Sequence, residues 1–232
     1  MNSRLQIACA WCGIAFVAFA TLGWWIIAGM LPPISPALDA ASVAAFYQAN
    51  TGVLRTGILI GMISCALTIP WIAVVAVHMK RAEGDTPVLT VVQIVAGTVT
   101  VVILTFPFVI WTAAAFRPER APELVQLLND FGWIMIVMTF PPFFTQLAAI
   151  GVAVLLDKNA RPIFPRWVAY FNIWVAVLFI PGALITFFKT GPFAWNGILA
   201  FWLPLAVFMG WYIVMFFVLL KVIKEQQQSA AV

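Results

Sequence analysis

Three cysteines and a single histidine are the side chains in this sequence best suited to hold a metal or pass an electron. Cys9 and Cys12, in "CAWC", stand three apart and share one face of a helix. That spacing suits a soft metal or a dithiol couple. A structural metal site wants about four ligands, and the remaining thiol, Cys65, and the one histidine, His78, lie far along the chain. "CAWC" also lacks the following histidine of a haem-attachment motif. The cysteines therefore read as small soft residues, and His78 in "VVAVHMKR" as an interfacial residue beside Lys80 and Arg81. No GxSxG, P-loop, HExxH or GxGxxG occurs, and Ser64 has no base near it in sequence. No metal, cofactor or catalytic residue is expected, and enzyme chemistry is not the natural reading.

Binding chemistry is the alternative, and its candidates are aromatic and amide side chains. Trp71, Trp174, Trp202 and Trp211 fall deep inside long apolar runs and suit a flat apolar ligand. Gln146, just after the Pro141–Pro142 pair, and Asn172 in "YFNIWV" place amides at similar depth. Arg55 stands at one mouth with Arg117 and Arg120, and Asp39, Glu119, Glu123 and Asp130 are available to pair them. Between the ends of the apolar runs there is no Asp, Glu, Lys or Arg. Charges at membrane depth mark ion paths and proton relays. Their absence argues against a pump, a proton-coupled transporter or a carboxylate-bridged metal enzyme.

The elements that must position these residues follow from composition. The chain of 232 residues is 64% hydrophobic and 9% charged, against about 25% charged in a soluble domain, and its mean hydropathy is +1.06. Runs at 5–31, 57–78, 88–115, 133–156, 167–188 and 198–220 each reach the roughly 20 residues a span needs. In lipid such continuous runs must be helices, because every backbone group is paired internally. The first run is too long for a signal-peptide core and is read as retained. The expected fold is an all-α integral membrane bundle of six helices, arranged as three hairpins.

Basic residues set the orientation. With the N-terminus cytoplasmic, Arg4, Lys80, Arg81, Lys158, Arg161, Arg166, Lys221 and Lys224 lie inside, eight in all. Arg55, Arg117, Arg120 and Lys189, four in all, lie outside. The net charge of +4 thus reflects topology, and no basic cluster with interleaved aromatics points to nucleic acid. The expected location is a bacterial inner membrane with both termini cytoplasmic. Trp24, Trp25, Trp111, Trp133 and Trp195 gather at the outer ends as an aromatic belt.

Two outer connections carry amphipathic stripes. Val43, Phe46, Tyr47 and Asn50 follow helical spacing, with Asp39 or Ser35–Pro36 to start a helix. Leu124, Leu127, Leu128 and Phe131 repeat the stripe after Pro122. "NTG" at 50–52 and "DFG" at 130–132 end the two stretches alike, which suggests a parallel internal repeat of about 5–82 and 88–166 within one domain of 1–232. A third hairpin at 167–220 and a polar tail at 221–232 complete it. Pro70, Pro107, Pro141, Pro142, Pro181 and Pro204 lie inside five of the six runs and are expected to kink them and open a cavity. "GILIG", Gly57 to Gly61, is a close-packing motif.

Together these features imply a non-enzymatic membrane protein that binds a hydrophobic or lipid-like molecule, or that serves as a subunit of a homo-oligomer or larger complex. Membrane lipids are its expected partners. The other reading is a channel or passive carrier for a small neutral or apolar molecule, gated by the outer stripes. The topology makes a direct prediction. A cysteine placed at Ser35 should react with an impermeant reagent from outside, and one at Thr86 only after the cell is opened; the reverse pattern would overturn the orientation.

Overall fold

A computed structural model of the chain describes residues 3–229. It is 79% helix, and among the described residues there is no strand. Six helices are long and apolar enough to cross a membrane. The first is α1 (Ser3–Ala20), which runs into a wider π-helical turn at Thr21–Ile27. A short α2 (Ala40–Ala49) precedes a second crossing made of α3 (Thr51–Cys65) and α4 (Thr68–Glu83). The third crossing is α5 (Val88–Phe116), and the fourth is α6 (Pro122–Met138) followed by α7 (Pro141–Leu156). The fifth is α8 (Arg166–Leu178) extended by a 3₁₀ segment at Ile180–Thr186. The sixth opens with a π turn at Ile198–Trp202 and continues as α9 (Leu203–Ser229). Of the polar tail expected at 221–232, residues 221–229 prolong α9, and 230–232 lie outside the described residues.

Only α5 is a single uninterrupted helix. The prolines do not bend the other crossings so much as restart them. Pro70 is in the first turn of α4, Pro141 and Pro142 begin α7, Pro181 is the second residue of the 3₁₀ segment, and Pro204 is the second residue of α9. Proline lacks an N–H, and at the start of a helix that N–H has no partner in any case. Neighbouring hydroxyls take up carbonyls near the breaks. Ser64 donates to Gly61 O at 2.6 Å, Thr68 to Cys65 O at 2.6 Å and Thr139 to Met135 O. Pro107 alone sits inside a continuous helix.

α5 is fixed at both ends by charged side chains. The Glu83 carboxylate accepts from Leu89 N at 2.8 Å and Thr90 N at 2.6 Å at its start. Arg55 donates to Ala115 O and Phe116 O, and Arg120 to Ala113 O, at its end. Acid at the N-terminus and base at the C-terminus both complement the helix dipole.

Successive crossings pack side by side, and α9 closes the ring on α1. Trp11 meets Phe216 at 4.7 Å and Phe16 meets Tyr212 at 4.9 Å, so α1 and α9 run antiparallel and the two described ends share one face. The packing is continuous around the ring: α4 lies against α5 as well as against α1. The glycine motif is a true close-packing site. A Cβ on Gly57 would come within 2.2 Å of Ala28 N, and one on Gly23 within 2.6 Å of Gly61 N.

The two amphipathic stretches differ. α2 is a separate helix, capped by the Asp39 carboxylate accepting from Ser42 N at 2.8 Å; the Ser42 hydroxyl first, and this backbone bond after it, hold that carboxyl below its ordinary value. Val43 and Tyr47 are buried against the bundle, with Phe46 half-buried. The second stretch is no separate cap. It is the first part of α6, continuous to Met138, and its buried face is Val125, Asn129, Gly132 and Trp133. Leu124 is 52% exposed and Leu127 is 63% exposed, so this stripe was expected on the wrong face. In lipid, leucine gains nothing by turning inward, whereas an asparagine gains a hydrogen-bonding interior.

Gly57→Ala should lower stability by about 1–3 kcal/mol, the usual cost of forcing a methyl into a packed interface, because its neighbours there are backbone atoms that cannot swing aside. A thermal unfolding curve in detergent, compared with Gly52→Ala, where a Cβ meets nothing within 4 Å, checks this.

Candidate functional site: an apolar cavity at the helix breaks

The composite crossings leave a cavity of ≈ 100 Å³ where their pieces meet. Every crossing reaches it, and it lies in the half of the bundle away from the two ends. Phe16 and Trp24 contribute from the first crossing, Cys65 from the second, Phe108 from α5, Phe140 and Phe143 from the fourth, Phe179 from the fifth and Phe201 and Phe208 from the sixth. Leu104, Ile136, Leu205 and Met209 are lining residues only half-buried.

The polar atoms of this wall are already occupied. Thr100 Oγ1 donates to Ala96 O at 2.9 Å, Thr139 Oγ1 to Met135 O, and Cys65 Sγ lies 3.4 Å from Gly61 O. Each bond stays within its own helix. The exception is the Trp24 indole N–H, which is buried without a partner. A cavity of this kind offers almost nothing to a polar or charged ligand, since desolvation would go uncompensated.

An aromatic cluster roofs it. Trp24 stacks on Trp111 with centroids 5.7 Å apart, Trp111 meets Trp133 at 4.9 Å, and Phe201 meets Trp133 edge-on at 5.7 Å. Asn129 holds the cluster in place. Its Oδ1 accepts from Trp133 Nε1 at 3.2 Å and from the Tyr47 hydroxyl at 3.1 Å, and its backbone O accepts from Trp111 Nε1 at 3.4 Å. Burial raises the Tyr47 phenol far above its ordinary value, which keeps it a donor. Gln126 to Leu38 O at 3.0 Å and Gln48 to Pro118 O at 2.8 Å tie α2 further to the structure beneath it.

The residues singled out in the sequence go to several places. Trp71, Trp211 and Asn172 do come together: Trp71 and Trp211 are 5.8 Å apart edge-on, and Trp211 Nε1 donates to Asn172 Oδ1 at 2.8 Å. This group is fully buried, nearer the ends of the chain than the cavity, and is not part of the cavity's lining. Phe143 bridges the two regions, 5.5 Å from Trp211. Gln146 is buried beside Gly97. Trp202 is partly buried and packs on Trp25 at 5.8 Å, outside the lining. Trp174 is 55% exposed and points away from the bundle interior. Arg55, expected at a ligand mouth, is committed to the end of α5 instead, and Arg120 likewise. Neither pairs with the acids proposed for it; carbonyls at a helix end are the stronger claim on a guanidinium in a poorly hydrated setting.

The phenylalanines of the cavity were missed, yet a signal for them exists. Phe108, Phe140, Phe143, Phe179 and Phe201 each lie within three residues of a proline, in "TFPF", "TFPPFF", "FIPG" and "FWLP". For Phe140, Phe143, Phe179 and Phe201 the proline restarts a helix, which carries the residue to the joint between pieces that forms the cavity; Phe108 follows Pro107 inside the continuous α5.

No family model, no curated protein and no solved structure matches this chain. What the cavity takes is therefore argued from its own chemistry.

The roof is testable. Asn129→Leu removes the side-chain acceptor shared by the Trp133 indole and the Tyr47 phenol, leaves the Trp111 bond to the backbone carbonyl in place, and should cost about 1–3 kcal/mol for the donors left unsatisfied. Tyr47→Phe, which leaves Asn129 bonded to Trp133, should cost about 1 kcal/mol. Tryptophan emission and unfolding midpoints would show both, with the larger shift in Asn129→Leu.

Proposed function

We propose that this chain is a non-enzymatic integral membrane protein whose cavity holds the apolar end of a lipid-like or other hydrophobic molecule. The observation that carries the reading is a wall built by all six crossings whose polar atoms, Trp24 Nε1 apart, are spent within their own helices. Size narrows the class. At ≈ 100 Å³ the cavity is smaller than the ~150 Å³ engineered cavity that holds benzene. It suits the end of a hydrocarbon chain, not a whole lipid. Entry is from the bilayer, past half-buried Leu104, Ile136, Leu205 and Met209. The eight-to-four asymmetry of basic residues supports cytoplasmic termini in a bacterial inner membrane, and in that orientation the cavity would lie in the outer half. The Asn129 roof and α2 then close it against water, in line with a site that exchanges with lipid.

Native mass spectrometry of gently solubilised protein tests this. The wild type should carry an apolar adduct, and Leu104→Trp, which fills the cavity from its wall, should lose most of it while folding normally. Wild-type protein with no apolar adduct, or a variant that retains it equally, would overturn the reading.

A further inference from the structure

A second groove lies at the opposite end of the bundle, on the face that carries both described chain ends. It measures ≈ 550 Å³ and runs between the segment leading into α8 and the last turns of α9. Its construction is graded. Val214, Phe217, Val218 and Lys221 are spaced three and four apart, so they form one stripe of α9, apolar for two turns and then cationic. Across the groove, Phe164 is fully buried and forms part of the wall, and Arg166 and Trp167 stand at the rim. Phe217 is 63% exposed and Trp167 is 50% exposed, so the apolar part of the groove is open to its surroundings.

The charges are arranged for an anion. Arg166 and Lys221 line the groove with Glu225, which leaves the lining net cationic. Glu225 sits one helical turn beyond Lys221, at 3.9 Å, in an exposed pair. Such pairs are worth little, so Lys221 is free to turn toward a better partner. Arg166 has no hydrogen bond or ion pair among the described residues. A guanidinium with nothing to bind, a lysine in a weak pair and an indole at the same level sit directly above a bare hydrocarbon stripe. A soluble anion would use the cations and leave the stripe uncovered. A neutral lipid tail would use the stripe and leave the cations unused. An amphiphile with an anionic head uses both.

We propose that this groove is a binding site for an anionic phospholipid, with its phosphate between Arg166 and Lys221, Trp167 at headgroup level and one acyl chain along Val214, Phe217 and Val218. The site is separate from the central cavity and does not depend on what that cavity holds.

The test is a lipid titration of purified protein followed by native mass spectrometry, using phosphatidylglycerol and phosphatidylcholine with the same acyl chains. The double variant Arg166→Gln/Lys221→Gln should lose phosphatidylglycerol binding by about tenfold or more, from roughly one favourable increment per cation near a membrane surface. Its phosphatidylcholine binding should be unchanged. Lys80→Gln, a charge removed from the same face but outside the groove, should bind as the wild type, and Arg166→Lys/Lys221→Arg should keep most of the preference. Inorganic phosphate at millimolar concentration should not displace the lipid. Equal binding of the two lipids by the wild type, a double variant that keeps the preference, a matching loss in Lys80→Gln or in the charge-conserving variant, or displacement by phosphate would each overturn the proposal.

Discussion

Backbone hydrogen bonding in an apolar surrounding is the constraint on which the rest of this protein depends. Where no water reaches, an unpaired N–H or C=O costs several kcal/mol. A helix can be interrupted there only where the interruption provides for itself. Here proline begins the new piece, so one donor is absent by construction, and Ser64, Thr68 and Thr139 cover nearby carbonyls. The unbroken α5 stands among these composite crossings, pinned by Glu83 at one end and by Arg55 and Arg120 at the other. The cavity is what remains where broken pieces meet beside that pillar. Its apolar wall follows directly, because hydroxyls spent on closing the breaks are not left over to greet a ligand.

Side chains are sorted by the same solvent. Packing cannot be driven by apolar transfer when the surroundings are as apolar as leucine. Small residues and paired polar residues take the interior, as at Gly23, Gly57 and Gly61. Two asparagines, Asn129 and Asn172, each anchor an indole, one above the cavity and one below it. Large aliphatic residues such as Leu124, Leu127 and Ile63 turn outward. Some polar atoms remain buried and unpaired, among them His78 Nε2 and both amide atoms of Gln93, all on the first three crossings. Those crossings therefore carry a free-energy cost that tight packing, such as the Gly13 contact with Trp71, has to offset.

The two ends of the bundle serve different chemistry. One half ends in an aromatic roof and a docked helix that exclude water. The other ends in helices that extend as charged turns, with Arg166 and Lys221 over an apolar stripe.

What the sequence determined by itself was the number of crossings and their near-total lack of charge, because these depend on local composition and length; it left the start of α2 open between Ser35–Pro36 and Asp39, and the structure chose Asp39. The prolines were legible as points of irregularity, expected as kinks; the structure makes Pro70, Pro141, Pro181 and Pro204 the starts of new helical pieces. What only the tertiary structure decided was which face each crossing turned inward. Leu124 or Val125, Trp174 or Val175: in each pair local spacing allows either, and a hydrophobic pattern gives no direction when both sides are apolar. The choice fell to long-range partners, Tyr47 reaching Asn129 from 82 residues away and Trp211 reaching Asn172 from 39. Arg55 was decided in the same way, since the carbonyls of Ala115 and Phe116 that claim it belong to a helix end 60 residues on, which no local pattern can place beside it.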